Sequence, residues 1–183
     1  MSGMNEGKKI EGRFPCHVWE MEDAGEARKS FRGTVVREYD EYTDLEDGTV
    51  LHWNYMWDEG DRYLLRCNEC GGLMMVQKSE FHSCFDDDDY YSDQIPIASV
   101  EEGDLLNILW DGLDMEGYPY RSIRGNNFQY FWKQGKEPKP YDTEKLKRDI
   151  RKKYKDLSPE KKELLEKMIR DAGKTDDGDG KDD

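Results

Sequence analysis

Two cysteines three residues apart are the residues of this chain best suited to chemistry. Cys67 and Cys70 lie in the run Cys-Asn-Glu-Cys-Gly-Gly, between two short apolar segments of strand length, Arg62–Arg66 and Leu73–Gln77. The two glycines permit a tight reversal of the chain. Two thiolates on such a turn can each lie about 2.3 Å from one zinc ion. The spacing predicts a strand–turn–strand hairpin that carries half of a zinc site at its tip.

The segment Cys67–Gly71 resembles the Cys-x-x-Cys-Gly knuckle of zinc-ribbon proteins. This resemblance implies a structural zinc ion, and such an ion takes four protein ligands. The nearest candidates for the other two ligands are His82 and Cys84, which close the following strand. A second source of ligands is the adjacent pair Cys16 and His17. The expected set is therefore the two knuckle cysteines with His82 and Cys84.

A metal-free turn is the alternative to the zinc site. A complete zinc ribbon carries a second Cys-x-x-Cys pair, and this chain has none. The two thiols would then be reduced and partly buried within an ordinary tight turn. A redox Cys-x-x-Cys is disfavoured, because that chemistry needs a thiolate at a helix N-terminus and the residues after Cys70 predict a strand. Zinc and the metal-free turn both stay open.

Four adjacent aspartates, Asp86, Asp87, Asp88 and Asp89, follow this hairpin. Carboxylates are the ligands that Mg²⁺ and Ca²⁺ prefer. Consecutive side chains point in different directions, however, and the spaced Asp-x-Asp-x-Asp-Gly pattern of a calcium loop is missing here. The run is therefore predicted to be a solvated acidic loop, and it is also a candidate contact for a basic partner.

The composition indicates a binding protein with a basic target. The net charge is −14 over 183 residues, with 38% charged and 12% aromatic residues. Such a charge repels nucleic acid and anionic membranes. Its natural partners are basic protein surfaces, such as a nuclease at its nucleic-acid groove. The sequence contains none of the usual catalytic motifs, neither a Gly-rich phosphate loop nor Gly-x-Ser-x-Gly, which disfavours an enzyme.

In charge and size the chain resembles immunity proteins against nuclease toxins, and phage-encoded inhibitors of restriction or CRISPR nucleases. The region of the sheet and knuckle also resembles small uncharacterised acidic proteins of bacterial mobile elements. These resemblances imply an inhibitor in phage or toxin defence that sequesters a protein acting on nucleic acid. Plain solubility is the simpler explanation of the charge by itself.

One segment of the chain has the opposite charge. Between Lys145 and Arg170 there are eleven basic and five acidic residues. Helices with this composition are often ordinary solvated surface, but basic helices also bind phosphate backbones. The alternative function is thus a zinc-knuckle accessory protein that contacts nucleic acid through the helices of residues 143–172. Its candidate contacts are Lys147, Arg148, Arg151, Lys152 and Lys153.

The two ends of the sequence bear on compartment and organisation. The start has no apolar signal segment, and no run approaches the roughly 18 apolar residues of a membrane span, so a reducing cytoplasm is expected. We expect residues 1–12 to be disordered, 13–134 to form one α+β domain with the Cys hairpin, 135–141 to be a linker, 142–173 a helical hairpin, and 174–183 a disordered acidic tail.

Hydrophobic periodicity and capping residues predict the elements that would position these groups. Strands are expected at 14–21, 31–42, 49–57, in the Cys hairpin, and at 118–123 and 128–132. Ser99 with Glu102 forms a capping box for a helix to about Trp110. Asp142 or Thr143 begins the next helix, and Ser158 with Pro159 begins the last. The predicted fold is α+β: an antiparallel meander sheet with a covering helix and a C-terminal helical hairpin.

Overall fold

The protein is described by a computed structural model that covers residues 12–39, 42–44, 50–53, 59–81, 89–110 and 118–174. Its strands are β1 Gly33–Tyr39, β2 Tyr42–Asp44, β3 Val50–Trp53, β4 Glu59–Cys67, β5 Leu73–Phe81, β6 Asp89–Ile97, β7 Ser122–Gly125 and β8 Tyr130–Lys133. The helices are a 3-10 helix His17–Glu20, α1 Ala24–Ser30, α2 Val100–Leu109, α3 Thr143–Lys153 and α4 Pro159–Asp171. The predicted α+β class, with its meander sheet and C-terminal helix pair, is confirmed.

Six of the strands form one antiparallel sheet in the order β1-β4-β5-β6-β7-β8, while β2 and β3 pair with each other. Strand register decides which side chains share a face, because alternate residues point to opposite sides. Leu64, Met75 and Ile95 are aligned across three strands and face one side. Val76 and Gln94 are aligned on the other side. The sheet therefore has two distinct faces, and each must be covered by different parts of the chain.

The first face is covered by α2, α3 and α4. Ser99 Oγ accepts a hydrogen bond from the Glu102 backbone at 3.1 Å, so the predicted cap of α2 is present. Asp142 caps α3, and Ser158 caps α4 with a proline at the first helical position. None of the helices in the described part of the chain is long and apolar enough to cross a bilayer.

Most of the side chains buried on this helical face are apolar, although Arg62, Gln77 and Glu102 are buried there as well. Apolar side chains of α3 and α4 belong to the same cluster as those of the strands and α2, so the helix pair completes the core on this face. The buried members are Leu64, Leu73, Met75, Ile95, Ile97, Leu105, Leu106, Ile108, Tyr118, Tyr120, Leu146, Ile150, Tyr154, Leu165 and Ile169. Burying each such side chain stabilises the fold by roughly 1.5–3 kcal/mol.

The second face is covered by the N-terminal segment, with the 3-10 helix and the short helix α1. Asp23 caps α1 by accepting from the Glu26 backbone at 2.8 Å. This cluster is smaller and includes two cysteines: its buried members are Cys16, Val18, Trp19, Ala24, Ala27, Phe31, Cys67, Met74, Val76 and Ile123. Because these elements are short, they bury less apolar area than the longer helices of the first face.

The prediction of a first strand at 14–21 was wrong, because residues 17–20 form a 3-10 helix. Val18 and Trp19 are consecutive and both are buried, at 0% and 3% exposure. An extended strand would send neighbouring side chains to opposite faces. A tight helical turn instead places both side chains against the sheet.

Two further details of the predicted meander also differ. Residues 31–81 were expected to pair in chain order, but β1 pairs with β4, and β2 and β3 form a separate hairpin between them. Asp89 was predicted to belong to an acidic loop, but it begins β6 and pairs with Phe81 at the end of β5. The backbone ladder of a long neighbouring strand overrides the local charge pattern. The disordered ends were predicted at 1–12 and 174–183, and apart from residues 12 and 174 they lie outside the described residues.

Candidate metal centre

The knuckle turn lies between β4 and β5 and has the geometry that its glycines predict. The Cys67 backbone donates to the Gly72 carbonyl at 2.8 Å, and the Gly71 backbone donates to the Cys67 carbonyl at 3.0 Å. Gly71 has a φ of 70°, a left-handed conformation that other residues rarely adopt. The turn therefore brings the two thiols to the same side of the hairpin end.

The N-terminal segment crosses directly over this turn. The Arg13 backbone donates to the Cys70 carbonyl at 3.1 Å. A Cβ on Gly72 would lie 2.6 Å from the Arg13 carbonyl oxygen and 2.8 Å from the Cys16 Cβ, which is closer than atoms can approach. Glycine at position 72 is thus required by the passage of this segment, and that passage brings Cys16 and His17 to the knuckle.

Four potential ligand atoms meet at the crossing: the thiols of Cys16, Cys67 and Cys70 and an imidazole nitrogen of His17. All four lie within 4.8 Å of one another. The His17 Nδ1 atom is 3.6 Å from the Cys16 sulfur, 3.5 Å from that of Cys70 and 4.0 Å from that of Cys67. The Cys16 and Cys70 sulfurs are 3.3 Å apart.

These distances fit a single tetrahedral ion. Ligand atoms about 2.3 Å from zinc at tetrahedral angles are about 3.8 Å from one another. The observed separations, from 3.3 Å upward and all within 4.8 Å, bracket that value. Three sulfurs and one imidazole are also a known set for structural zinc. The described residues therefore fit the metal that the knuckle predicts.

Burial and hydrogen bonding divide the thiols into two kinds. Cys16 and Cys67 are 1% and 2% exposed, whereas Cys70 is half-buried. Burial raises the pKa of the Cys16 thiol. Burial also acts to raise the pKa of Cys70, but hydrogen bonds with the His17 side chain and the His17 and Gly72 backbone outweigh it and lower that pKa to about 6. Of Cys16 and Cys70, Cys70 is the thiol more ready to bind a cation as thiolate.

The far side of the histidine ring has its own partner. The His17 Nε2 atom lies 3.3 Å from a carboxylate oxygen of Glu69, a residue within the knuckle. Histidines that bind a metal through one nitrogen commonly donate the other N–H to a carboxylate, which fixes the ring orientation. Glu69 is in position to orient His17 so that Nδ1 points at the three sulfurs.

Four protein ligands around one point form a closed set. A catalytic zinc keeps an open position for water or substrate, and a structural zinc does not. Here the four ligands come from two distant segments, and two of the sulfurs are buried. Chemically, this arrangement can tie the N-terminal segment to the hairpin, and it offers no evident position for a reacting molecule.

The structure brings together only part of the ligand set expected from the sequence. Cys67 and Cys70 meet Cys16 and His17, the second source of ligands. His82 and Cys84, the first choice, lie outside the described residues. Cys16 and His17 are adjacent in the sequence, and His17 lies 50 residues before Cys67. A single Cys-His pair at that separation does not by itself indicate that the two segments meet.

The other predicted contacts are also placed only in part. Asp86, Asp87 and Asp88 lie outside the described residues, and Asp89 is the first residue of β6. The five candidate nucleic-acid contacts all lie on α3. Arg148 and Lys152 are exposed there.

Other basic groups of α3 are bound to the protein itself. Lys147 Nζ lies 2.8 Å from Glu101 and 3.0 Å from Glu144. Arg151 binds Glu166 of α4 through two bonds of 2.8 and 2.9 Å. Such partners reduce the positive charge that this helix presents to a phosphate backbone.

Comparison of the chain with protein-family models, with curated proteins and with solved structures gave no match. The assignment of the metal centre accordingly depends on the positions of its four ligand atoms, on their burial and on the backbone contacts that hold the two segments together. It does not depend on similarity to any other protein.

Proposed function

We propose that zinc binds the Cys16, His17, Cys67 and Cys70 cluster as a structural ion. We further propose that the protein, stabilised by this ion, is an acidic cytoplasmic binding protein. It inhibits or sequesters a basic protein that acts on nucleic acid. The single observation that supports the structural part is the closed set of four ligand atoms within 4.8 Å. The charge of −14 supports the binding part.

Zinc would attach the N-terminal segment to the second face of the sheet, where the covering elements are short. The N-terminal segment and α1 bury few large side chains against the sheet, and the ligands Cys16 and His17 lie immediately before and within the 3-10 helix. Structural zinc contributes directly to folding free energy, since the site does not exist in the unfolded chain. The metal therefore stabilises the fold, and the surface charge of the protein binds the partner.

The charge distribution supports a basic protein as the partner. Outside residues 145–170 the chain has seventeen basic and thirty-seven acidic residues. A field of that sign attracts basic surfaces and accelerates their encounter, while it repels nucleic acid. Within the basic segment, Lys147 and Arg151 are bound to glutamates. The acidic binding function is for this reason proposed ahead of nucleic-acid contact through α3.

The test begins with the zinc-loaded full chain as bait in its native host at low salt, with captured proteins identified by mass spectrometry and each candidate then purified. We expect one-to-one binding to a protein that acts on nucleic acid, loss of that protein's activity, and weakening with rising salt. Replacing Asp86, Asp87, Asp88 and Asp89 with Asn should weaken the complex by about tenfold or more.

A matched control removes the same charge elsewhere. Replacing Asp176, Asp177, Asp179 and Asp182 of the tail with Asn should leave the affinity within about threefold of the parent. Equal weakening by both sets would show that binding is non-specific attraction. Retention of DNA or RNA by the parent protein, abolished by Lys152→Glu with Lys153→Glu, would instead establish the nucleic-acid alternative.

A further inference from the structure

A cavity of about 500 Å³ opens on the second face of the sheet, beside α1. It lies over β1, β4, β5 and β6, and residues of α1 and of the turn after it form one wall. Its volume is within the range of sites that hold small molecules, roughly 300–1,000 Å³. All of its lining residues belong to the described part of the chain.

The floor and one wall of the cavity are apolar. Leu65, Met74 and Val76 of the central strands line the cavity, together with the aromatic residues Phe31 and Tyr63. Aromatic rings and aliphatic side chains in this arrangement accept a flat ring by stacking and by excluding water. The interior therefore suits the planar, apolar part of a ligand.

The rim of the cavity is cationic, although the protein as a whole is strongly acidic. Arg28, Arg32 and Lys78 line it. Arg28 lies 5.9 Å from the ring centre of Tyr130, and Lys78 lies 5.8 Å from that of Tyr63. Among the described residues, no carboxylate forms an ion pair with either of these two side chains. Arg28 and Lys78, which form no ion pair within the described part of the chain, are suited to bind an anion at the mouth of this apolar cavity.

The floor also contains a buried amide without hydrogen-bond partners. Gln94 is 0% exposed, and neither its Nε2 nor its Oε1 atom has a partner in the described part of the chain. Buried polar groups are nearly always paired, because leaving them unpaired destabilises the fold. Gln94 also lines the cavity, and the terminal torsion of a glutamine side chain is soft. A ligand with a donor next to an acceptor would satisfy both atoms.

We propose that this cavity binds a nucleoside phosphate. The Gln94 amide would pair with the edge of the base, as an amide does with a donor–acceptor edge. The aromatic wall would stack on the base, and Arg28, Arg32 and Lys78 would bind the phosphate. This site is separate from the metal centre and does not depend on the proposed protein partner.

The test is a titration of the zinc-loaded full chain with AMP, GMP, CMP and UMP, followed by ¹H–¹⁵N NMR and calorimetry. We expect at least one nucleotide to bind saturably at one site and to shift the side-chain amide signal of Gln94. Gln94→Leu should weaken that nucleotide by about tenfold. Arg28→Met with Lys78→Met should weaken it by a similar factor and abolish its advantage over the matching nucleoside.

Lys29→Met is the matched control, since Lys29 lies on the same helix, is paired with Glu26 and is outside the cavity lining. It should leave the affinity unchanged. The spectra of the variants report folding, and Gln94→Leu removes an unpaired group, so it should remain folded. Absence of saturable binding by all four nucleotides would overturn the proposal. Binding that survives both cavity variants, or inorganic phosphate binding as tightly as the nucleotides, would overturn it as well.

Discussion

The two faces of the sheet are held by different physical means. On one face, α2, α3 and α4 pack on the strands in a continuous core whose cluster contains fifteen buried hydrophobic residues. On the other face, a 3-10 helix of four residues and an α1 of seven cover a smaller cluster that includes Cys16 and Cys67. The first face is stabilised by the burial of apolar area. The second face carries a candidate metal centre at one end of a hairpin and an open cavity.

This difference shows where a small domain needs a metal ion. Apolar burial stabilises in proportion to area, so long amphipathic helices suffice where they are present. Short segments bury too little to offset the entropy of ordering them, and a zinc ion compensates by joining distant ligands. We therefore expect loss of the metal to destabilise mainly the elements packed on the second face. Substitutions that create cavities should have their largest effect on stability in the core of the first face.

The largest expected effect comes from breaking the metal centre. Cys67→Ser, or removal of zinc by a chelator, should abolish one bound zinc per chain and lower the free energy of unfolding by more than about 4 kcal/mol. The reason is that the substitution removes a buried ligand of the ion that joins the two segments. Metal analysis by mass spectrometry, combined with urea unfolding, measures both quantities.

Cys84→Ser is the control for the ligand set. With the observed cluster as the site, this variant keeps its zinc and its stability, while Cys16→Ser loses both. The reverse result, with zinc lost in Cys84→Ser and kept in Cys16→Ser, would show that the ligands expected from the sequence are the real ones.

A large but metal-independent effect is expected on the helical face. Leu105 is 0% exposed within the core of α2. Leu105→Ala should lower the free energy of unfolding by about 2–5 kcal/mol, because it leaves a cavity among packed side chains. The zinc content should stay at one per chain. Loss of zinc from this variant would contradict the separation of the two faces.

A pH-dependent effect is expected at Glu102, which is 1% exposed in the first turn of α2. Burial raises its pKa from 4.5 to about 7, although a hydrogen bond from the Ala98 backbone opposes the shift. The folded state thus holds the proton more tightly than the unfolded state. The resulting stability is complete below pH 4.5 and is lost as the pH rises to about 7.

Glu102→Gln keeps a side-chain oxygen that can accept from the Ala98 backbone and removes the charge. The variant should be more stable than the parent above pH 7, by at most about 3 kcal/mol, and the difference should disappear near pH 4. Urea unfolding between pH 4 and pH 8 measures it. A variant that is less stable than the parent at pH 8 would show that the carboxylate is stabilising there.

The smallest expected effect is at the surface of the helix pair. Arg151 and Glu166 link α3 to α4, with 45% and 39% of their side chains exposed. Arg151→Gln should cost less than about 1 kcal/mol, because water and salt screen exposed pairs. Repeating the unfolding measurement at 1 M salt should remove most of the difference. A cost of several kcal/mol that persists in salt would mean that this pair is a main attachment of α4.

Local chemistry in the sequence determined much of this protein. Ser99, Asp142 and Ser158 have side-chain oxygens that satisfy free N–H groups, so the starts of three helices were predictable from short motifs. The glycines after Cys70 predicted the knuckle turn, and period-four stripes predicted the packing faces of α3 and α4. These features depend on neighbours within about one turn of chain.

Long-range choices were decided only by the tertiary structure. Cys16 and His17 were one of two candidate ligand pairs, and nothing near them in sequence specifies that they cross the knuckle. The same holds for β1, which pairs with β4 across an intervening hairpin. Gln94 lies in an ordinary strand sequence, and only the folded sheet places its amide, unpaired, beside a cationic cavity. Contacts between distant segments follow from how the whole chain buries its apolar surface, and short motifs do not encode that outcome.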